Sequence, residues 1–213
     1  MLAGCEGALS MLDPAGPAAR SISGLWWIML AGGVAIFVLV MLLIAAAFRP
    51  KRSETESPDR ERLWIYGLGL GFSLTVLAAL TMLGLATGER LLPVVADDVV
   101  KVRAEGRQWA WRFGYDDAPA RSTDNVLHIP AGRPVDVAIT SVDVIHSFWV
   151  PRLAGKLDAI PGHTNVLRLQ ADQPGRYAGR SAEFSGDNYL LHRFEVVAHG
   201  ADSWQAFLAG AAP

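Results

Sequence analysis

The apolar and polar positions divide the chain into a long apolar N-terminal part and a C-terminal part of short alternating runs. Two blocks in the first part, 25–48 and 64–88, contain no charged residue. Because about 20 apolar residues cross the hydrocarbon core of a bilayer, each block is predicted to be a transmembrane helix. Trp26 and Trp64 stand near the block ends, where amphipathic rings favour the membrane interface.

From about Pro93 onward, short alternating runs are separated by turn signals such as "PAGRP", "IPGH" and "DQPGR". This spacing is typical of an all-β sandwich or barrel. The predicted strands are Val99–Ala104, Trp109–Tyr115, Val126–Ile129, Val135–Ser141, His146–Val150, Val166–Gln170, Gly175–Glu183 and His192–Val197. A short helix, Asp202–Ala209, is predicted to close the chain, with Asp202 or Ser203 as its N-cap.

Composition and charge support a membrane protein. The chain is 51% hydrophobic with a mean hydropathy of +0.25, which is too apolar for an ordinary soluble domain. The connector "RPKRSETESPDRER" carries five basic residues, whereas the first 24 residues carry only Arg20. Because basic loops stay inside, the connector is predicted to be cytoplasmic and both chain ends to lie outside. The net charge of −2 gives no indication of a nucleic-acid partner.

These patterns predict four segments. Residues 1–24 form an exported N-terminal segment, and 25–88 form a helical hairpin with spans 25–48 and 64–88 around a cytoplasmic loop, 49–62. Residues 93–200 form the exported β domain, and 201–213 form a C-terminal helix and tail. The fold class is therefore a transmembrane hairpin followed by an all-β domain.

The single cysteine, Cys5, excludes an internal disulfide. It ends "LAGC", a run of small residues that is typical of bacterial lipoprotein signals, although only four residues precede it. Either Cys5 is lipidated in a longer precursor, as we expect, or it has no such role.

Three motifs carry a family resemblance: "GRQWAWRFGY", "DVIHSFWVPRLAGKLDAIPGHTN" and "GRYAGRSAEFSG". Together with the hairpin and β domain, they resemble subunit II of haem-copper terminal oxidases over nearly the whole chain. The resemblance implies a cupredoxin-like barrel on the outer face of a bacterial inner membrane. It also implies a complex with subunit I, which would hold the haems and CuB, and with subunit III.

The family's dinuclear copper centre, CuA, implies a second set of expectations. His146 matches its first histidine, while Ser181 and Ser185 stand at the positions of its two bridging cysteines. Tyr189 replaces the second histidine, and His192 replaces the methionine. Because soft thiolates are what hold the copper pair, we expect CuA to be absent. His146 and His192 are then expected to hydrogen-bond within the loop, with a mononuclear metal site as the alternative.

Other family positions also have expected roles. Glu183 is retained where the cytochrome c branch binds Mg²⁺ at the subunit I interface, and a hard cation favours such a carboxylate. Four aromatic residues are expected to pack against subunit I: Trp109, Trp111, Phe113 and Tyr115.

Three functions remain open. The chain could be a non-redox subunit II of a proton-translocating quinol oxidase, which the loss of CuA favours. It could be a divergent cytochrome c oxidase subunit II with altered electron entry, as His146, Asp158 and Glu183 suggest. It could also be a membrane-anchored cupredoxin-like binding protein. The last is least favoured because none of the five methionines, at 1, 11, 29, 41 and 82, lies in the exported domain.

Overall fold

The computed structural model describes residues 6–49, 61–93 and 98–210. The chain forms two compact units, one of Gly24–Arg90 and one that joins Met1–Ser23 to Leu91–Pro213. Cys5 and connector residues 50–60 lie outside the described residues. The lipidation of Cys5 and the cytoplasmic placement of the connector therefore stay predictions.

Two helices are long and apolar enough to cross a membrane, α1 (Pro17–Ala47) and α2 (Leu63–Leu91). The first ten residues of α2, Leu63–Phe72, adopt the wider π form. Helix α1 begins eight residues before the predicted span, at Pro17, because proline suits the first turn of a helix. The early start also includes the charged Arg20, which pairs with Asp172 of the same compact unit.

Ten strands form the second unit. They are β1 (Val100–Arg107), β2 (Ala110–Tyr115), β3 (Ala118–Asp124), β4 (Val126–Pro130), β5 (Val135–Ser141), β6 (His146–Trp149), β7 (Lys156–Ala159), β8 (Asn165–Leu169), β9 (Gly175–Arg180) and β10 (Arg193–His199). One sheet has the order β3-β2-β1-β5-β8 and the other β4-β10-β9-β6-β7. The pairs β1–β5 and β4–β10 are parallel, and the other strand pairs are antiparallel.

The two sheets share one core because their strands alternate. In β5, Val135, Val137 and Ile139 point inward while the residues between them are half-buried. In β10, Val196 and Ala198 do the same from the opposite sheet. The predicted architecture of two apolar helices followed by an all-β domain is confirmed.

The strand prediction missed β3 and β7, and both are edge strands. The sequence of β3, "APARSTD", has no buried residue and therefore no apolar alternation to recognise. It forms through backbone pairing with β2. Four-residue β7 pairs with β6. The predicted strand Gly175–Glu183 was too long, because β9 ends at Arg180 where the site loop begins.

The C-terminal helix, α3, spans Ala201–Leu208. The predicted N-cap was wrong, because Gly200 occupies that position and no side chain caps the helix. Asp202 lies in the first turn instead, where a negative charge favours the helix dipole. Trp204 and Phe207 are buried and attach α3 to the core.

Candidate functional site

Two loops at one end of the sandwich bring four of the predicted site residues together. The β5–β6 loop leads into His146, and the β9–β10 loop carries Ser181, Ser185 and His192. All four side chains are buried, and both histidines are 0% exposed. The rings of His146 and His192 lie 4.8 Å apart, centroid to centroid, at an interplanar angle of 87°.

Ser181 has a structural role in this arrangement. Its hydroxyl oxygen accepts the backbone N–H of Ser147 at 3.1 Å. Its own backbone N–H donates to the carbonyl of His192 at 2.9 Å. Ser181 therefore joins the start of the β9–β10 loop both to β6 and to the end of the same loop.

Asp143 is the centre of the hydrogen-bond network that orients His146. Its carboxylate accepts three hydrogen bonds. The donors are Nε2 of His146 at 2.7 Å, the backbone N–H of Gln108 at 2.7 Å and the backbone N–H of Val144 at 2.6 Å. Burial raises the pKa of Asp143, but these hydrogen bonds outweigh burial and lower it to about 2. The Gln108 side chain then donates to the carbonyl of Ser185 at 2.6 Å, which links the two site loops.

His192 lies in an apolar environment. Its ring stacks on Trp111 at 5.3 Å, and neither ring nitrogen has a hydrogen-bond partner in the protein. Burial, followed by repulsion from His146, lowers its pKa to about 4, and the Ala110 backbone and Asp143 offset this only in part. The ring is therefore neutral at pH 7. His146 thus hydrogen-bonds to Asp143 of its own β5–β6 loop, and neither ring nitrogen of His192 reaches a partner in the β9–β10 loop.

The residues at this site do not fit a dinuclear copper centre. Within 6–49, 61–93 and 98–210, no three histidine, cysteine, aspartate or glutamate side chains are grouped to hold a metal ion. The cluster offers two imidazoles and two hydroxyls, and the Ser181 hydroxyl already accepts a backbone hydrogen bond. A neutral hydroxyl is a hard ligand that cannot replace a bridging thiolate.

The remaining two loop positions face outward. Glu183 is 3.3 Å from the ammonium of Lys156, and both side chains are more than a third exposed. The Tyr189 ring is half-buried and contacts Phe184, with centroids 5.3 Å apart. Neither residue enters the histidine cluster.

The expectation that four aromatic residues pack against subunit I was wrong for three of them. Trp111, Phe113 and Tyr115 are at most 1% exposed and belong to the core of the β domain. They lie on the inward-facing positions of β2. Trp109, in the turn before β2, is half-buried.

The same two site loops present an apolar rim to solvent. Its six members are each at least 39% exposed: Val142, Val144, Ile145, Phe184, Leu190 and Leu191. Exposed apolar side chains concentrated in this way mark an interaction surface. The sequence prediction missed the rim because these residues fall in loops between strands.

Sequence reasoning also missed a histidine pair that lies outside the site loops. His128 of β4 and His199 of β10 are joined by a 2.8 Å hydrogen bond between Nδ1 and Nε2. His128 stacks on Phe207 of α3 at 4.3 Å. Burial, followed by repulsion from His199, lowers the pKa of His128 to about 4. The available signal was two histidines on strands that the fold makes neighbours.

Comparison with solved structures identifies the class of fold. The crystal structure of the periplasmic domain of subunit II of cytochrome oxidase from Bradyrhizobium japonicum superposes with a TM-score of 0.52. The match covers 55% of this chain and 96% of that one at 24% identity, a similarity that establishes the fold alone. The β unit thus has the cupredoxin-like fold found in the periplasmic domains of oxidase subunits II.

Sequence comparisons then identify the family. The family model "Cytochrome C oxidase subunit II, periplasmic domain" matches residues 118–198. Quinol oxidase subunit 2 of Bacillus cereus is 30% identical over 97% of this chain and 74% of that protein. Cytochrome c oxidase subunit 2 of Alkalihalophilus pseudofirmus is 33% identical over 98% of this chain, which spans 64% of that protein's length. The chain belongs to the subunit II family of haem-copper cytochrome c and quinol oxidases.

Proposed function

We propose that this chain is a CuA-free, non-redox subunit II of a proton-translocating quinol oxidase that reduces oxygen. The observation that carries the proposal is that buried serines, Ser181 and Ser185, stand at both thiolate positions. The relatives described as quinol oxidase subunits 2 support the same branch.

The chemistry of the donor follows from this assignment. A quinol is an apolar two-electron donor that dissolves in the bilayer, so it can reach a haem of subunit I without an exported relay. This chain's own contribution is then structural. Asp143, Gln108 and Ser181 keep the site loops in their folded shape without a metal ion.

Metal analysis of the purified full chain and of its assembled complex tests the absence of CuA. We expect no copper bound to the full chain alone and no purple CuA absorption in the complex. Two copper ions per chain would contradict the proposal. Because subunit I would carry CuB, the measurement on the isolated full chain is the decisive one.

The apolar rim supports a docking surface for subunit I, with subunit III as a further partner of the complex. Ile145→Asp places a charge on this surface, and Val166→Asp on β8 is the matched control because the two positions are 45% and 43% exposed. We expect Ile145→Asp to reduce co-purification of subunit I, because burying a carboxylate in an interface is costly. If both variants lowered the co-purification of subunit I equally, the apolar rim would not be part of the interface.

We also propose that Glu183 contributes to a Mg²⁺ site shared with subunit I. Its carboxylate is exposed beside the rim and is held by Lys156, which Mg²⁺ would displace. Glu183→Gln should lower the Mg²⁺ or Mn²⁺ content of the assembled complex, whereas Asp187→Asn, in the same loop, should not. Equal metal content in the wild type and Glu183→Gln would leave Glu183 as a surface partner of Lys156.

A specific observation favours a second candidate, a cytochrome c oxidase subunit II with altered electron entry. A relative described as cytochrome c oxidase subunit 2 is 33% identical to this chain. His146, Asp158 and Glu183 are the residues that resemble that branch. Donor specificity of the assembled complex separates the two candidates.

We infer that the chain crosses the bacterial cell membrane twice and that its β domain lies on the outer side. The backbone of Ala15, which precedes the first apolar helix, hydrogen-bonds to the backbones of Arg152 and Asp172 in the β domain. Both segments must therefore lie on the same side of the membrane, which supports an even number of crossings. The basic connector then lies in the cytoplasm.

A further inference from the structure

Residues 10–23 lie against the exported β domain, and the contact is made through the backbone. The N–H of Ala15 donates to the carbonyl of Arg152 at 2.7 Å, and the N–H of Asp172 donates to the carbonyl of Ala15 at 2.9 Å. One turn further along, the N–H of Ala19 donates to the carbonyl of Leu153 at 3.3 Å. Ala15 is thus hydrogen-bonded on both sides by two separate segments of the domain.

Two ion pairs fix the direction of this segment. Arg152 donates to the carbonyl of Asp13 at 2.9 Å and also lies 2.9 Å from the Asp13 carboxylate. Arg20 binds the Asp172 carboxylate through both of its terminal nitrogens. The acidic residue of the segment, Asp13, pairs with a basic residue of the domain, and its basic residue, Arg20, pairs with an acidic one. The reversed direction would place like charges together.

Close packing completes the contact. A Cβ added to Gly16 would lie 2.1 Å from the carbonyl oxygen of Gln170, so only glycine fits there. Ala19 and Ser23 are 2% and 5% exposed, and Ala15 and Ala18 pack against the hydrophobic core of the β domain. Hydrogen bonds, charge and shape therefore all match this one segment.

We propose that residues 10–23 are a docking strap, and that Arg152–Gly155 with Gln170–Asp172 form the surface that binds it. The strap continues directly into α1, which begins at Pro17 and ends at Ala47. The β domain is therefore joined to the chain on both sides of the two apolar helices, by docking of the strap before them and by the covalent connection after Leu91. We infer that this double attachment holds the domain for assembly with its partner subunit, a step that rests on the proposed function.

Gly16→Ala tests the strap, and Gly24→Ala is the matched control because nothing lies within 4 Å of a Cβ at Gly24. Both changes replace glycine by alanine in the same N-terminal region. Amide hydrogen exchange of the full chain in detergent is read at Ala15, Ala19 and Asp172, whose N–H groups make the strap contacts. In Gly16→Ala these amides should exchange about tenfold faster or more, since overpacking of this kind is costly. The strands of the β core and the whole of Gly24→Ala should remain as in the wild type.

The assembly step is tested with the same variants co-expressed with the other subunits. Gly16→Ala should lower the amount of this chain that co-purifies with subunit I at least severalfold, and Gly24→Ala should not. A charge exchange gives an independent check. Arg20→Asp alone should undock the strap, and Arg20→Asp with Asp172→Arg should restore slow exchange.

Unchanged exchange at Asp172 in Gly16→Ala would overturn the strap. Fast exchange with normal assembly would overturn its role in assembly. Neither result depends on copper content or on the electron donor. The proposed function is tested separately, by metal analysis and by donor specificity.

Discussion

The buried neutral histidines should make the β domain sensitive to acid. His128 and His192 have pKa values of about 4 in the folded chain, because burial disfavours their charged forms. In the unfolded chain both should titrate near 6.5. Between these values the unfolded chain binds more protons than the folded one. Stability is therefore complete above pH 6.5 and falls as the pH drops toward 4.

The magnitude follows from the size of the two pKa shifts. Each histidine costs about 3 kcal/mol of unfolding free energy once the pH is below its folded pKa. Most of this loss is present by pH 4.5. The Asp143 carboxylate does not contribute in this window, because its pKa of about 2 means that its stabilisation is lost only below its ordinary pKa near 4.

Removing His192 isolates its share of the effect. We propose His192→Met, which keeps a side chain of similar size and gives up no protein hydrogen bond. Urea unfolding of the full chain in detergent is followed from pH 7 to pH 4.5 by near-ultraviolet circular dichroism. With a denaturant dependence of about 2 kcal/mol per M, the acid shift of the wild-type midpoint should shrink by about 1 M or more in the variant.

His163→Gln is the control, because His163 is exposed at the surface. Its acid shift should match that of the wild type. If His192→Met lost as much stability between pH 7 and pH 4.5 as the wild type, the buried neutral state of His192 would be refuted. A midpoint independent of pH over this range would refute it for His128 as well.

Three further predictions concern the site loop, the core and the topology. Ser181→Cys with Ser185→Cys, Tyr189→His and His192→Met should bind copper and show purple absorption, while the two cysteine substitutions alone should bind it poorly. Gly179→Ala should destabilise the domain by about 1–3 kcal/mol, because its Cβ would lie 2.4 Å from the Phe194 ring, whereas Gly84→Ala should not; thermal unfolding measures both. A reporter that is active only outside the cytoplasm should be active when fused after Pro213, and activity of a cytoplasm-only reporter there would contradict the topology.

The sequence predicted those elements whose side chains alternate or form long apolar runs. The bounds of β5, Val135–Ser141, match the prediction because every second residue is buried. The edge strand β3 escaped prediction because it buries no side chain and forms through backbone pairing with β2. The edge strand β7 escaped it because only Ala159 of its four residues is buried. A single-sequence pattern does not record which strand provides that neighbour.

The sequence predicted which residues form the site. It did not predict the hydrogen-bond network that supports them. Family resemblance indicated His146, Ser181, Ser185 and His192, and the structure gathers them in one buried cluster. Asp143 and Gln108 escaped notice because their roles depend on hydrogen bonds across two loops that are 35 residues apart in sequence. The aromatic residues of β2 were misplaced for a related reason, since residue type alone does not distinguish a core face from an interface.

We propose that the complex takes electrons from quinol without a copper relay in this chain. The most direct measurement is oxygen consumption by the purified, assembled complex, supplied in turn with a reduced quinol and with reduced cytochrome c. We expect oxygen reduction with quinol and none above background with cytochrome c. Oxygen reduction driven by cytochrome c, with no activity on quinol, would contradict it and establish the second candidate in its place.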